Sequence, residues 1–398
     1  MMPLPDLVQN LPYLLPETER LDMLRLARTN GVGPINFGRL MCLYGQASVA
    51  LDALPERMAA AGRSDGVHIP SRSDIEDELE RLRKMGGRAI LRSDPDYPVL
   101  LTHVPDAPPV LFIQGDAKKL SVRSIGVVGA RNASSAGIRM SGSLSTELAS
   151  AGLCVVSGLA RGIDSAAHEG ALPWGLTVAA IAGGLDYFYP PENAKLQAEI
   201  AEKGCIVTEA PLGTVPQARH FPRRNRLIAG MTQGCVIVEA ALKSGTLITA
   251  RLAAQYDRIL FSVPGSPLDP RSRGGNDLLR HGAVVTENAQ DVLNQLGLHL
   301  PPRNPAPWEK GSPQKREFSG FSEPGVRWGN SQEDVPEDLQ SVLRKVRPLL
   351  SVTPVAVDDV VRHCQFSVSA ILTALTELEL GGIVEFVPGG RVALLPNR

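Results

Sequence analysis

The chain has 398 residues, too many for one small domain, so two or three domains are expected. Apolar residues make up 43%, which supports a sizeable core and excludes global disorder. The formal net charge is −1, so no bulk field attracts an anionic partner and any anion site must be local.

The first twelve residues contain three prolines and no basic residue, unlike a signal peptide. No apolar run approaches the ~20 residues of a membrane span. "ERLDMLRLARTNGVGPINFGRLMCLYG" follows, with helical apolar spacing at Leu21, Leu24, Leu26, Leu40 and Leu43. "NGVGP" breaks it as a turn, and Pro34 suits a helix start. Helix, Gly-Val-Gly, helix has the form of a helix-hairpin-helix or a related helical module, which can offer backbone N–H groups to a phosphate. A simple helix turn accounts for it equally well. "SRSDIEDELERLRKMGG" predicts one exposed helix.

The character changes at residue 86. Six short runs rich in Val and Ile occupy 124–130, 153–158, 177–184, 205–210, 235–240 and 259–265. Such runs, uninterrupted by charge, are buried on both faces, as in a parallel sheet. Stretches of helical length separate them, so 86–297 is predicted to be a doubly wound α/β domain. Residues 298–334 are rich in Pro, Gly and polar residues and read as a flexible linker. From 335 to 398, three helical stretches and the hairpin-like "GIVEFVPGGRVALL" describe a winged helix. The five cysteines contain no CxxC pair, and three lie in strand-like runs, as buried thiols do in a reducing compartment. The seven histidines show no ligand spacing, so no metal or cofactor is expected.

Each strand-like run ends in small or polar residues, and in an open parallel sheet these loops share the carboxyl edge where ligands bind. Gly158, Gly183, Gly184 and Gly245 permit close backbone approach, and Ser157, Ser244 and Thr246 add hydroxyls. The fixed charges near that edge are Arg131, Arg161, Lys195 and the cluster Arg223, Arg224, Asn225, Arg226. This inventory suits phosphate. Tyr187, Phe188 and Tyr189 lie at the same edge; aromatics beside cations suit single-stranded nucleic acid, and a loop that packs its own aromatics into the core accounts for them equally well. "GVVGARNASSAG" does not match GxGxxG, and no GxxxxGK[ST] occurs, which argues against dinucleotide binding and P-loop hydrolysis. Asp164 and His168, four apart, resemble an acid–base pair. No nucleophile accompanies them, and a capping aspartate with a packed histidine is favoured. Glu209 and Glu239 end strands at the same edge and are read as anchors for loop N–H groups and arginines.

Six motifs occur in one order: "SDPDYPVLLTHVPDAPPVLFIQG", "VGARNASSAG", "SGLARGIDSAAHEGAL", "GGLDYFYPPENAKL", "FPRRNRLIAG" and "SGTLITARLA". On these the chain resembles the DNA-processing protein A family (DprA/Smf) over about residues 90–285. The resemblance implies a Rossmann-like core, an N-terminal SAM-like or helix-hairpin-helix-like domain (1–85) and a C-terminal winged helix. With neither signal peptide nor membrane span expected, the chain reads as cytoplasmic, and the resemblance implies a non-catalytic protein that binds single-stranded DNA, forms a homodimer and delivers RecA recombinase to strands entering by natural transformation. The family's DNA-contacting arginine falls on Arg131, its lysine on Lys195, and its basic loop on Arg223, Arg224 and Arg226. A nucleotide phosphoribohydrolase of the lysine-decarboxylase-like group is the alternative, although only fragments of that group's PGGxGTxxE motif are present. One departure stands out. The expected recognition helix, 367–380, has no Lys or Arg and carries Glu377 and Glu379. A duplex-reading helix is normally basic, so this domain is expected to contact protein or its own chain.

Overall fold

The computed structural model describes residues 15–60, 68–297, 339–351, 354–364, 366–387 and 390–395. The N-terminal segment 1–14 and the whole of the expected linker, 298–334, lie outside them. The chain divides into two compact units, one holding 73–297 and the other holding 17–72 together with 339–395. Among the described residues no helix is long and apolar enough to cross a membrane, and no cluster of three or more His, Cys, Asp or Glu is placed to hold a metal ion.

The first unit is built on nine strands: β1 (Gly87–Leu91), β2 (Val110–Gly115), β3 (Ser124–Val128), β4 (Cys154–Ser157), β5 (Thr177–Ala180), β6 (Cys205–Thr208), β7 (Gly234–Ile237), β8 (Ile259–Ser262) and β9 (Val284–Val285). Their order is β1-β2-β6-β5-β4-β3-β7-β8-β9. From β6 to β9 every neighbour is parallel; β1 and β2 add an antiparallel edge. The chain builds outward from β3 to β6, then returns to lay β7 against the other side of β3. Ligands bind near such a reversal, outside the carboxyl ends of the strands.

Alternate strand residues face two separate cores, which is why strands β3 to β8 carry no charge. Cys154, Val156, Val178 and Val207 share one core with Leu227 and Ile228. Ile125, Val127, Val155 and Val236 share the other with Leu144, Leu148, Ile163 and Val292.

Counting helices along the whole chain, the second unit opens with α1 (Glu17–Arg28), α2 (Pro34–Tyr44) and α3 (Ala47–Ala60). The turn before α2 holds Gly31 at φ 87°, a left-handed conformation that favours glycine. The helix α4 (Arg72–Lys84) runs into the first unit, which continues with α5 (Val99–Thr102), α6 (Ser135–Ser150), α7 (Ile163–Ala171), α8 (Ala194–Lys203), α9 (His220–Met231), α10 (Thr246–Gln255), α11 (Arg273–Arg280) and α12 (Ala289–Leu296). The exposed helix expected at 71–87 is α4, but Ile75, Glu78 and Leu82 are buried, so one of its faces is packed.

The remaining helices are α13 (Leu339–Val346), α14 (Val357–His363) and α15 (Val368–Leu380). With β10 (Val355–Ala356), β11 (Val384–Val387) and β12 (Arg391–Leu394), paired in the order β10-β12-β11, they form the expected winged helix. Val342, Val360, Ile371, Leu375 and Val392 make its core. Ser367 caps α15 by accepting from the Ala370 N–H at 3.1 Å.

Candidate nucleic-acid interface

A cavity of about 220 Å³ opens at the carboxyl ends of β3, β4 and β5. Arg131 and Asn132 come from the loop after β3, Gly158 to Arg161 from the loop after β4, and Gly183, Tyr187 and Tyr189 from the loop after β5. Phe221 and Arg224 come from the first two turns of α9.

Phe221 lies at the centre of this arrangement. Its ring centroid is 5.5 Å from that of Tyr189, with the planes at 53°. The Arg131 guanidinium carbon sits 4.9 Å from the same centroid, and that of Arg224 sits 5.9 Å away. Cations at this distance are attracted to the ring face. Tyr187, Phe188 and Tyr189 are all exposed. Arg131 is exposed too, and among the described residues no carboxylate forms an ion pair with it.

Arg224 is held rather than mobile. Its Nη1 donates to the Gly158 carbonyl and, at 2.6 Å, to the Ala180 carbonyl. Burial draws its pKa down to about 10, which leaves it cationic at neutral pH. Gly158 permits this contact, because a Cβ there would overlap the Arg224 guanidinium. Gly183 is equally constrained: a Cβ would meet Pro216 and the Thr214 carbonyl. At Gly184 a Cβ would meet Asp186 and the Pro211 carbonyl.

The loops are fixed by buried polar groups behind the cavity. Asp164, in the first turn of α7, accepts the Gly158 N–H at 3.2 Å and also accepts from the amides of Gly129 and Ala160. Burial pushes its carboxyl up, and Arg224 with those three amides opposes the rise. His168 is fully buried. Its Nε2 accepts the Leu159 N–H at 3.3 Å, which assigns the ring proton to Nδ1, 2.7 Å from the Thr177 hydroxyl. Burial and the Arg224 charge lower its pKa to about 3. The imidazole is therefore neutral and holds Leu159 at φ 54°, an uncommon conformation for a side-chain-bearing residue. The favoured packed-histidine reading fits this geometry. The N-cap assigned to Asp164 does not, since Gly162 occupies that position. Asn193 donates to the Leu159 carbonyl and the Ser165 hydroxyl, both at 2.9 Å.

The expected site residues thus separate. Arg131, Gly158, Gly183 and Arg224 line one cavity, with Gly184 forming the adjoining turn. Ser157 is a correction: it is fully buried and its hydroxyl donates to the Val127 carbonyl at 2.6 Å, out of a ligand's reach. Arg226 is another. Its side chain is 5% exposed and lies between Glu209 and Asp106, with Nη1 also donating to the Asp106 carbonyl. Asn225 is buried as well, accepting from Arg224 Nε at 3.3 Å and donating to the Gly245 carbonyl at 3.4 Å. These two residues brace the loop; neither offers a ligand contact.

Ser244, Gly245 and Thr246 lie outside the cavity lining. Thr246 donates to the Gly129 carbonyl at 3.0 Å and so steadies the loop that carries Arg131. Arg223 pairs with Glu209 at 2.7 Å, and Lys195, with 91% side-chain exposure, lies 3.7 Å from Glu199. The anchor reading of the two glutamates fits: Glu239 accepts from the Ser134 amide at 3.0 Å and the Ser134 hydroxyl at 2.5 Å. Sequence reasoning passed over Phe221 and Asn132. An aromatic inside a basic stretch was the available signal for the first.

Three family models match in chain order. The DprA-like N-terminal HHH domain covers 17–80, DNA recombination-mediator protein A covers 88–297, and the DprA winged helix domain covers 330–390. The chain belongs to the DprA/Smf family. It is 32% identical to Protein Smf of Synechocystis sp. over 395 residues, covering 94% of this chain and 98% of that protein. It is 40% identical to DNA processing protein DprA of Bacillus subtilis, over 55% of this chain and 74% of the relative. The X-ray structure of DprA from Streptococcus pneumoniae aligns with a TM-score of 0.54 at 37% identity, covering 57% of this chain and 78% of that one. The DprA/Smf core model spans every residue of the cavity.

Proposed function

We propose that this chain binds single-stranded DNA at the cavity, without catalysis, and acts in the cytoplasm as a homodimer that hands strands to RecA recombinase during natural transformation. The observation that carries the reading is the grouping of Phe221, Tyr189, Arg131 and Arg224 on one rim. A base taken out of its stack can lie on an aromatic face there while Arg131 meets the adjoining phosphate. A duplex keeps its bases stacked inward and offers nothing to that face. The cations address the backbone, so base preference is weak. Asp164 and His168 are engaged in holding loop amides, which supports a binding role over an acid–base one. Membership of a DNA-processing family supports the nucleic-acid ligand.

Fluorescence anisotropy of a labelled oligothymidine tests the site. Arg131→Ala is expected to weaken binding about tenfold, the scale of one charge-assisted contact, with an unchanged melting temperature. Wild-type affinity in that variant would place the strand elsewhere. Sedimentation and RecA co-precipitation test the two protein partners.

A further inference from the structure

The acidic third helix of the winged helix has an occupant in this structure. The inner side of α15, carrying Ile371, Leu375 and Leu378, packs into the winged helix's own core. Its outer side meets α2 and α3 of the same unit. Arg57 on α3 forms an ion pair with Glu377, and the same guanidinium donates to the Tyr44 hydroxyl at 2.9 Å. Arg39 on α2 donates to the Thr376 hydroxyl at 2.6 Å, and its guanidinium lies 5.1 Å from the ring centroid of Phe386 on the wing strand β11. Burial lowers the Arg39 pKa, and the negative charge of Glu379 opposes that fall.

This contact is built rather than incidental. Glu377 is 2% exposed, and burial pushes its carboxyl up while Arg57 draws it down. Among the described residues its Oε2 and the Arg57 Nε have no hydrogen-bond partner, so each charge depends on the other. Removing either member of such a pair leaves a buried charge without compensation. The two guanidinium groups that α2 and α3 present complement an acidic helix; phosphates do not.

We infer that the winged helix is a protein-docking module whose occupant in this chain is its own N-terminal helical domain, held through Arg39 and Arg57, and that its acidic third helix is not a duplex-reading surface. Any partner that opens it must bring basic groups to Glu377 and Glu379 in place of those two arginines. The inference stands apart from the cavity reading, since none of its residues line the cavity.

Hydrogen–deuterium exchange on the full chain tests it. Arg57→Ala and Glu377→Ala are each expected to speed amide exchange in both α3 and α15 at least tenfold, with β3 to β7 unaffected. The exchanged pair Arg57→Glu/Glu377→Arg is expected to restore most of the protection, and Arg57→Lys to give an intermediate value. Duplex affinity stays within twofold of wild type throughout. Faster exchange in α15 alone, or no response in either helix, overturns the inference. So does protection that rises with protein concentration, which would make a second copy the occupant. Arg362 of α14 and Arg391 of β12 are exposed basic groups of the winged helix; a tenfold loss of duplex affinity in Arg362→Ala/Arg391→Ala would show that this domain reads DNA through another surface, and would equally end the inference.

Discussion

Acidification should unlatch the loop after β4 through His168. In the folded protein this imidazole has a pKa of about 3, against 6.5 for an ordinary histidine, because it is buried beside Arg224. The folded state takes up no proton there above pH 3, whereas the unfolded chain takes one up below 6.5. The stability that His168 confers is therefore fully present above pH 6.5 and drains away as pH falls towards 3. At pH 5 the unfolded ring is favoured by 1.5 pH units of protonation, which at about 1.4 kcal/mol per unit amounts to about 2 kcal/mol. The full loss, below pH 3, is about 5 kcal/mol on the same scale. Urea unfolding of wild type and His168→Gln, followed by circular dichroism at pH 7.5 and pH 5, isolates this contribution, since glutamine does not titrate. The stability gap between the two proteins should shrink by about 2 kcal/mol on acidification. A gap that stays constant or widens would refute the neutral, buried imidazole and its grip on Leu159.

Three further substitutions separate binding from bracing. Gly158→Ala displaces the Arg224 guanidinium from the Gly158 and Ala180 carbonyls. At about 1.5 kcal/mol or more for each charged hydrogen bond, this should lower stability by about 3 kcal/mol in thermal unfolding. Arg226→Ala leaves the largely buried Glu209 and the partly exposed Asp106 without their shared cation, with a cost of about 3 kcal/mol, while single-strand affinity of the folded protein stays within twofold. Phe221→Ala should do the opposite, keeping the fold and losing ~1–3 kcal/mol of binding as the stacking face disappears; isothermal titration with oligothymidine reads it directly.

The central sheet was legible because strands buried on both faces can carry no charge, so β3 to β8 stand out as apolar runs. Strands β1 and β2 were not. They form the antiparallel edge, and Arg88 and Gln114 interrupt their apolar character where one side meets solvent or a loop. The carboxyl-edge cavity followed from topology, and Arg131, Gly158, Gly183 and Arg224 meet there. What the residue order does not carry is burial. Arg223, Arg224 and Arg226 are chemically identical, yet α9 turns one outward to Glu209, one into the cavity wall, and one inward to Glu209 and Asp106. The deciding acids lie far away in the chain, at positions that no local pattern connects to the arginines. Ser157 misled for a similar reason: as the last residue of a buried strand, its hydroxyl satisfies a neighbouring backbone carbonyl. The acidic character of α15, by contrast, was readable from composition alone, and Arg57 is what the structure places against it.

A salt titration against matched single-stranded and duplex oligonucleotides tests most directly whether the rim receives unstacked bases. The single strand should bind more tightly than the duplex at every salt concentration. Its log–log slope should be negative, and shallower by about 0.7 in Arg131→Ala, the contribution of one single-strand phosphate. Equal or tighter duplex binding, or a slope that Arg131→Ala leaves untouched, would contradict it.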